Sequence, residues 1–240
     1  MRGSSCLSHL PTNLSTHGSA RPAVSMRAKE VIVELVSRAI CNEVIVYARR
    51  AAEYGLVPNT QGNVSARDPS TGLIAITPHD LPYGALSADD VVIVDENGQK
   101  IAGTHDPSFE TPVHCAVYRA RADVMAMVHT EPTYVNCLGA VGKPIEPVVV
   151  SLLVNLGGAV PVMPFMPSGT DEFGRTMLEV MGDGAGVIWA NHGLLTVGRN
   201  VDEAFRRTVI VEHAAQIYHL ALLHGQPTLV THELLQGAAA

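Results

Sequence analysis

Apolar positions along this chain follow two periods, and the switches between them mark out the elements. From about Met26 to Tyr54, Val31, Leu35, Val36, Ile40, Val44 and Ile45 recur three and four apart with no internal Gly or Pro. That spacing predicts a long amphipathic helix, closed by Gly55 as its C-terminal cap. The polar stretch from Leu56 to Arg67 turns at Gly62. Its backbone amides could hold an anion, or it is a plain helix-to-strand connection in which Asn59 and Asn63 satisfy their own backbone. Leu73 to Thr77 and Val91 to Val94 are β-rich runs, and Glu96-Asn-Gly-Gln99 is a hairpin signal ahead of Lys100-Ile-Ala. Antiparallel strands therefore accumulate in this region.

Thr111 before Pro112 starts a helix of about Pro112 to Arg121. Glu110 stands at its mouth, where the positive helix end favours an ionised carboxylate, as a plain cap partner or a poised acid/base. Val124 to Val128 reads as a short buried strand leading into His129-Thr130-Glu131. Pro144 to Val154 is a further apolar, β-like or mixed run, broken at Asn155-Leu-Gly-Gly158, and Ser168 to Glu172 opens a helix reaching about Met181. Gly186 to Gly198 reads as two strands joined at Asn191-His192-Gly193. Asn200-x-x-Glu203 resembles a capping box before a helix of about Val201 to His224, on which His213, His219 and His224 pack or face solvent. Residues 1–25 are rich in Ser, Thr, Pro and Gly without a sustained period. They are expected to be a disordered leader ahead of a single domain over 26–240.

Composition narrows the partners. In 240 residues, 47% hydrophobic content suffices for a sizeable core. A net charge of −7 with no Lys/Arg cluster gives no footprint for nucleic acid. Cys6, Cys41, Cys115 and Cys137 are scattered without a C-x-x-C, as expected of reduced thiols in a cytoplasmic protein. No apolar run approaches the roughly 20 residues of a membrane span.

The candidate chemistry starts at His129. Residues two apart on an extended segment point the same way, so His129 and Glu131 can converge on one point. An imidazole nitrogen and a carboxylate oxygen suit Zn, Mn or Fe, but two ligands do not make a tight site. Alone, such a pair is more often a surface or core contact than a ligand set. His192, in a turn between two strongly apolar strands, would be costly to bury without a partner.

Six motifs occur in order: GLVPNTQGNVSAR (55–67), ITPHDLPYGAL (76–86), PSFE (107–110), VMAMVHTE (124–131), PVMPFMPSGT (161–170) and WANHGLLTVG (189–198). In these the chain resembles the class II aldolase/adducin family, over about residues 28–225. The resemblance implies an α/β fold, an α/β/α sandwich with a central, largely antiparallel sheet, assembled as a homotetramer with active sites between subunits. It implies one divalent metal ion per subunit (Zn, Mn, Fe or Co). The family's metal-binding His-x-His pair falls on His129 and Glu131, its later histidine on His192, and its acid/base glutamate on Glu110. Glu131 is a departure, giving two histidines and a carboxylate in place of three histidines.

Further departures bear on the substrate, for which Asn63, His79, Ser108 and Phe109 are the candidate contacts. Phosphate-binding members carry Thr-Gly where this chain has His79-Asp80, and a second Ser where it has Phe109. An aspartate repels a phosphate dianion, and phenylalanine supplies no hydroxyl donor. No tyrosine stands in Val148 to Leu153, before Gly157-Gly158, where the fuculose-phosphate member of the family places a catalytic one. The expectation is a lyase that removes carbon dioxide non-oxidatively from a hydroxylated aromatic carboxylic acid through a metal-stabilised enolate. Aldol cleavage of a hydroxy acid or sugar phosphate is the first alternative, with a small carboxylate or hydroxy-carbonyl substrate in either case. A non-haem Fe(II) oxygenase using two histidines and Glu131 is the second. An adducin-type interaction module is disfavoured by the retention of His129, His192 and Glu110.

Overall fold

The computed structural model describes residues 26–237; the leader expected over 1–25 lies outside them. The first helix, α1 (Met26–Glu53), ends as its sequence predicts. Gly55 takes φ +67°, its N–H bonds the Ala52 carbonyl at 3.0 Å, and the Leu56 N–H bonds that of Ala51 at 2.9 Å. These paired bonds are a Schellman motif, which turns Leu56 into the core. The Leu56 carbonyl in turn accepts the Glu131 N–H at 3.0 Å. The end of α1 is thereby stitched to the end of the strand that carries the candidate ligands.

Eight strands form one sheet: β1 (Asn63–Arg67), β2 (Ile74–Ile76), β3 (Val92–Val94), β4 (Lys100–Ala102), β5 (Ala126–Thr130), β6 (Val162–Met163), β7 (Gly186–Trp189) and β8 (Gly193–Gly198). Their order is β4-β3-β2-β1-β5-β8-β7-β6, and every pairing is antiparallel except β6 with β7. Alternate residues feed two layers. Val64, Ala66, Ala126 and Val128 pack towards α1 and the start of α6 (Val201–Leu222). Met127, Val187, Leu195 and Val197 pack towards α2 (Thr111–Ala120) and α5 (Asp171–Met181). The fold is therefore the expected sandwich of helices on both faces of a largely antiparallel sheet. β5, with four strands on one side and three on the other, is buried along its whole length.

The run from Pro144 to Val154 differs from its β-like reading. Only Ile145 bridges another segment, at Val160, and Val150–Leu156 is a helix, α4. Leu152, Leu153 and Leu156 recur one and three apart and are buried against α3 (Thr133–Gly139) and α6. A short apolar run has no periodicity strong enough to separate strand from helix, and the packing decides it. A last helix, α7 (His232–Gly237), is exposed. No helix among the described residues is long and apolar enough to cross a membrane.

Candidate metal and acid-base centre

His129 lies near the C-terminal end of β5, opposite Asn63 of β1 and Leu195 of β8. Its ring is 1% exposed and stacks on Trp189 at 4.3 Å between centroids. Nδ1 donates to the Leu194 carbonyl at 3.0 Å, and since a carbonyl only accepts, Nδ1 carries the hydrogen. Nε2 is left facing Glu110 in the cleft. His192 arrives from the turn between β7 and β8, where Asn191 adopts φ +58°, and its ring stands edge-on to His129 at 5.0 Å. Gly193 permits this approach: a Cβ there would lie 2.4 Å from the Thr130 carbonyl oxygen and 2.8 Å from His129 Cε1.

Glu110 occupies the N-cap position of α2, yet its side chain makes no capping bond. It turns into the cleft instead, and the plain-cap alternative gives way. Its Oε2 accepts from Asn63 Nδ2 at 2.8 Å and stands 3.3 Å from His129 Nε2, while Oε1 is 3.2 Å from His192 Nε2. One ligand atom from each of Glu110, His129 and His192 lies within 4.8 Å of the others. Glu131 follows β5 at the rim, with Oε1 4.0 Å from His192 Nε2. It lies beside the compact trio.

A cleft of about 200 Å³ opens over these groups, and every candidate site residue from the sequence lines it: Asn63, His79, Ser108, Phe109, Glu110, His129, Glu131 and His192. Ser108 is buried, with Oγ accepting the Glu110 N–H at 3.3 Å. Phe109 is 64% exposed and lies over Gly169. His79 is exposed at the rim, beside Asp80, whose Oδ1 accepts from Thr60 Oγ1 at 2.7 Å. Two participants escaped the sequence reading: Trp189, the platform under His129, and His114, which bonds Asn63 from behind. The four-residue spacing of Glu110 and His114 on one helix face was the available signal for the second.

Burial alone would raise the Glu110 carboxyl, but His129, His192 and the Asn63 amide outweigh it and hold it well below the usual carboxylate range. Burial pushes His129 down, towards neutral imidazole. Burial would also lower His192, yet the hydrogen bond and charge of Glu110, joined by Glu131, push it up. Glu131 is raised by burial and by the Glu110 charge. In its neutral form His129 carries its hydrogen on Nδ1, and its Nε2 lone pair then faces a carboxylate oxygen at 3.3 Å. Two acceptors in contact repel unless a cation lies between them, and two imidazole nitrogens with a carboxylate suit a borderline divalent metal. The residues fit such an ion.

The family described as Class II Aldolase and Adducin N-terminal domain matches residues 42–219. A 5-deoxy-D-ribulose 1-phosphate aldolase of Bacillus thuringiensis serovar kurstaki is 33% identical over 197 residues, covering 82% of this chain and 92% of its own. An L-fuculose phosphate aldolase of Methanococcus maripaludis is 31% identical over 180 residues, 74% of this chain and 95% of its own. A solved L-fuculose 1-phosphate aldolase superposes with a TM-score of 0.78 at 30% identity, covering 82% of this chain and 93% of its own.

Proposed function

This chain belongs to the class II aldolase and adducin N-terminal domain family and is a lyase of that type, and we propose that it catalyses metal-dependent aldol cleavage of a small hydroxy-carbonyl compound. The observation that carries this reading is the buried Glu110 carboxylate set 3.2–3.3 Å from two imidazoles beneath the cleft. Two relatives that align over more than nine-tenths of their own length bear aldolase names, which supports aldol cleavage over loss of carbon dioxide.

His129 and His192 would hold the metal through Nε2, with Glu131 reaching in from the rim, and Glu110 would be the acid/base. When bound, the metal supplies positive charge opposite the enolate oxygen that forms as the carbon–carbon bond breaks. Glu110, ionised at neutral pH, accepts the proton of the substrate hydroxyl and returns it at carbon. Asn63 holds Oε2 of that carboxylate by one N–H. Among the described residues the cleft lining contains no Lys or Arg, and Asp80 adds a carboxylate at its mouth. This favours a substrate whose far end is uncharged over a phosphate dianion.

Phe109 supports a second reading. An exposed ring at the rim suits an aromatic substrate, so decarboxylation of a hydroxylated aromatic acid stands behind aldol cleavage. The active form in this proposal is a homotetramer whose subunits complete one another's clefts. Cys41, Cys115 and Cys137 are free thiols, which fits the expected cytoplasmic location.

The test is a substrate panel: 5-deoxyribulose 1-phosphate, its unphosphorylated counterpart and a hydroxylated aromatic dicarboxylate, each with and without metal and oxygen. Aldehyde release that a chelator stops and added Zn or Mn restores is the expected result. Carbon dioxide release without aldehyde would replace this reading with the second, and turnover only in oxygen would overturn both.

A further inference from the structure

Behind the cleft, β1 and α2 are joined by a run of buried hydrogen bonds of which the chemistry above uses only the last, from Asn63 to Glu110. On β1, Asn63 and Ser65 are two apart and share a face. On α2, His114 and Tyr118 follow Glu110 at four-residue steps and also share one. All five side chains are buried, none more than 6% exposed. Tyr118 Oη lies 2.8 Å from Ser65 Oγ, and Ser65 Oγ 2.7 Å from His114 Nδ1. His114 Nε2 bonds Asn63 Oδ1, and Asn63 Nδ2 reaches Glu110 Oε2 at 2.8 Å.

Elementary hydrogen-bond inventory fixes the direction of every link. Asn63 sets its NH2 against Glu110 Oε2 and its carbonyl against His114 Nε2, and an amide NH2 only donates. That carbonyl only accepts, so His114 Nε2 must carry the hydrogen. Burial pushes His114 down to about 3, so the ring is neutral and Nδ1 has only a lone pair. Ser65 must therefore donate to Nδ1, and its oxygen is left to accept from Tyr118. An amide flip of Asn63 would set its carbonyl against the Glu110 carboxylate and its NH2 against an N–H, two repulsive contacts at once.

We propose that His114 is a positioning residue: its Nε2–H locks the Asn63 amide in the one orientation that donates to Glu110 Oε2, leaving Oε1 aimed at the cleft. This rests on Glu110 as the acid/base of the reaction proposed above. His114→Phe keeps a buried ring but removes both links, and should lower kcat by about 10- to 100-fold, as is typical of groups that orient an active-site side chain, with KM little changed. His114→Gln retains an N–H near the same place and should regain most of that loss, which packing alone would not explain. Rates are measured on whichever panel compound turns over fastest. In the wild-type protein labelled with 15N-histidine, long-range 1H–15N spectra should show His114 as the Nε2–H tautomer.

A His114 protonated at Nδ1 overturns the proposal whatever the variants do, including a His114→Phe chain that fails to fold. Full kcat in folded His114→Phe overturns it as well. Glu110→Gln separates the two levels: if that variant stays active, the acid/base reading fails. If it is inactive while His114→Phe is fully active, only the positioning role fails.

Discussion

Glu110 and Glu131 are two carboxylates lining one cleft, and their surroundings differ. Glu110 is buried, tied by Asn63 and faced by both imidazoles, while Glu131 stands at the rim 4.0 Å from His192 Nε2. If Glu131 is a ligand, Glu131→Gln removes an anion from the metal and should weaken its affinity in titrations of the stripped protein. Equal affinities for the wild type and Glu131→Gln would hand the carboxylate ligand role to Glu110. His192 is the less contested donor. His192→Ala should lose bound metal by elemental analysis and activity together while the fold persists, since the ring sits in a turn and is only partly buried. Full metal occupancy in that variant would refute its role. Residue types and the ordered motifs pointed to these groups beforehand. They did not reveal that Glu110 swings away from its helix into the cluster, because side-chain direction at an N-cap depends on what lies across the cleft.

Among the elements, the turn from β7 to β8 and the start of α6 carry the clearest consequences. Gly193→Ala would drive a Cβ into the Thr130 carbonyl oxygen, which cannot move without disturbing the β5–β8 pairing. Overpacking of this kind costs roughly 1–3 kcal/mol. Thermal unfolding should therefore register a lower midpoint, and metal content should fall because His129 Cε1 is the next atom met; unchanged values of both would show that the turn yields freely. At α6, Asn200 Oδ1 accepts the Glu203 N–H at 2.8 Å, and Glu203 reaches back to the Arg199 N–H at 2.8 Å. The hydrogen bonds of Arg199, with Arg207 adding its charge, hold the Glu203 carboxyl at about 2 against an ordinary 4.5. A carboxyl whose pKa is lowered by folding stabilises the fold above its unfolded value and loses that contribution as pH falls through the folded one. Glu203→Gln should thus be less stable than wild type at pH 7, and the gap should close between about pH 4.5 and 2. A gap independent of pH would assign the loss to packing. Helix starts such as Asn200 and Thr170 were legible because a cap is a local signal. The helix at Val150–Leu156 was not, because seven apolar residues fit either period until a neighbouring layer selects a face.

For the molecule as a whole, the proposed tetramer makes a direct prediction: light scattering at working concentration should give about four times the mass of one chain, and a fully active monomer would rule it out. Exposed apolar side chains such as Val141, Val154, Phe165 and Leu223 are the surface such an assembly has available to cover. The sequence by itself determined most of the order of elements, and its six ordered motifs, through the family they resemble, added the sandwich of helices on a largely antiparallel sheet and the histidines and glutamates worth watching. Period, caps and turn residues act over a few positions and need no distant partner to be read. Tertiary structure decided the rest. Glu110, His129 and His192 lie 19 and 63 positions apart, and only the order β1-β5-β8, with α2 packed on it, brings one ligand atom of each within 4.8 Å of the others. The Tyr118-Ser65-His114-Asn63 run behind them has the same origin, since hydrogen bonds between a helix face and a strand face exist only once the two are packed.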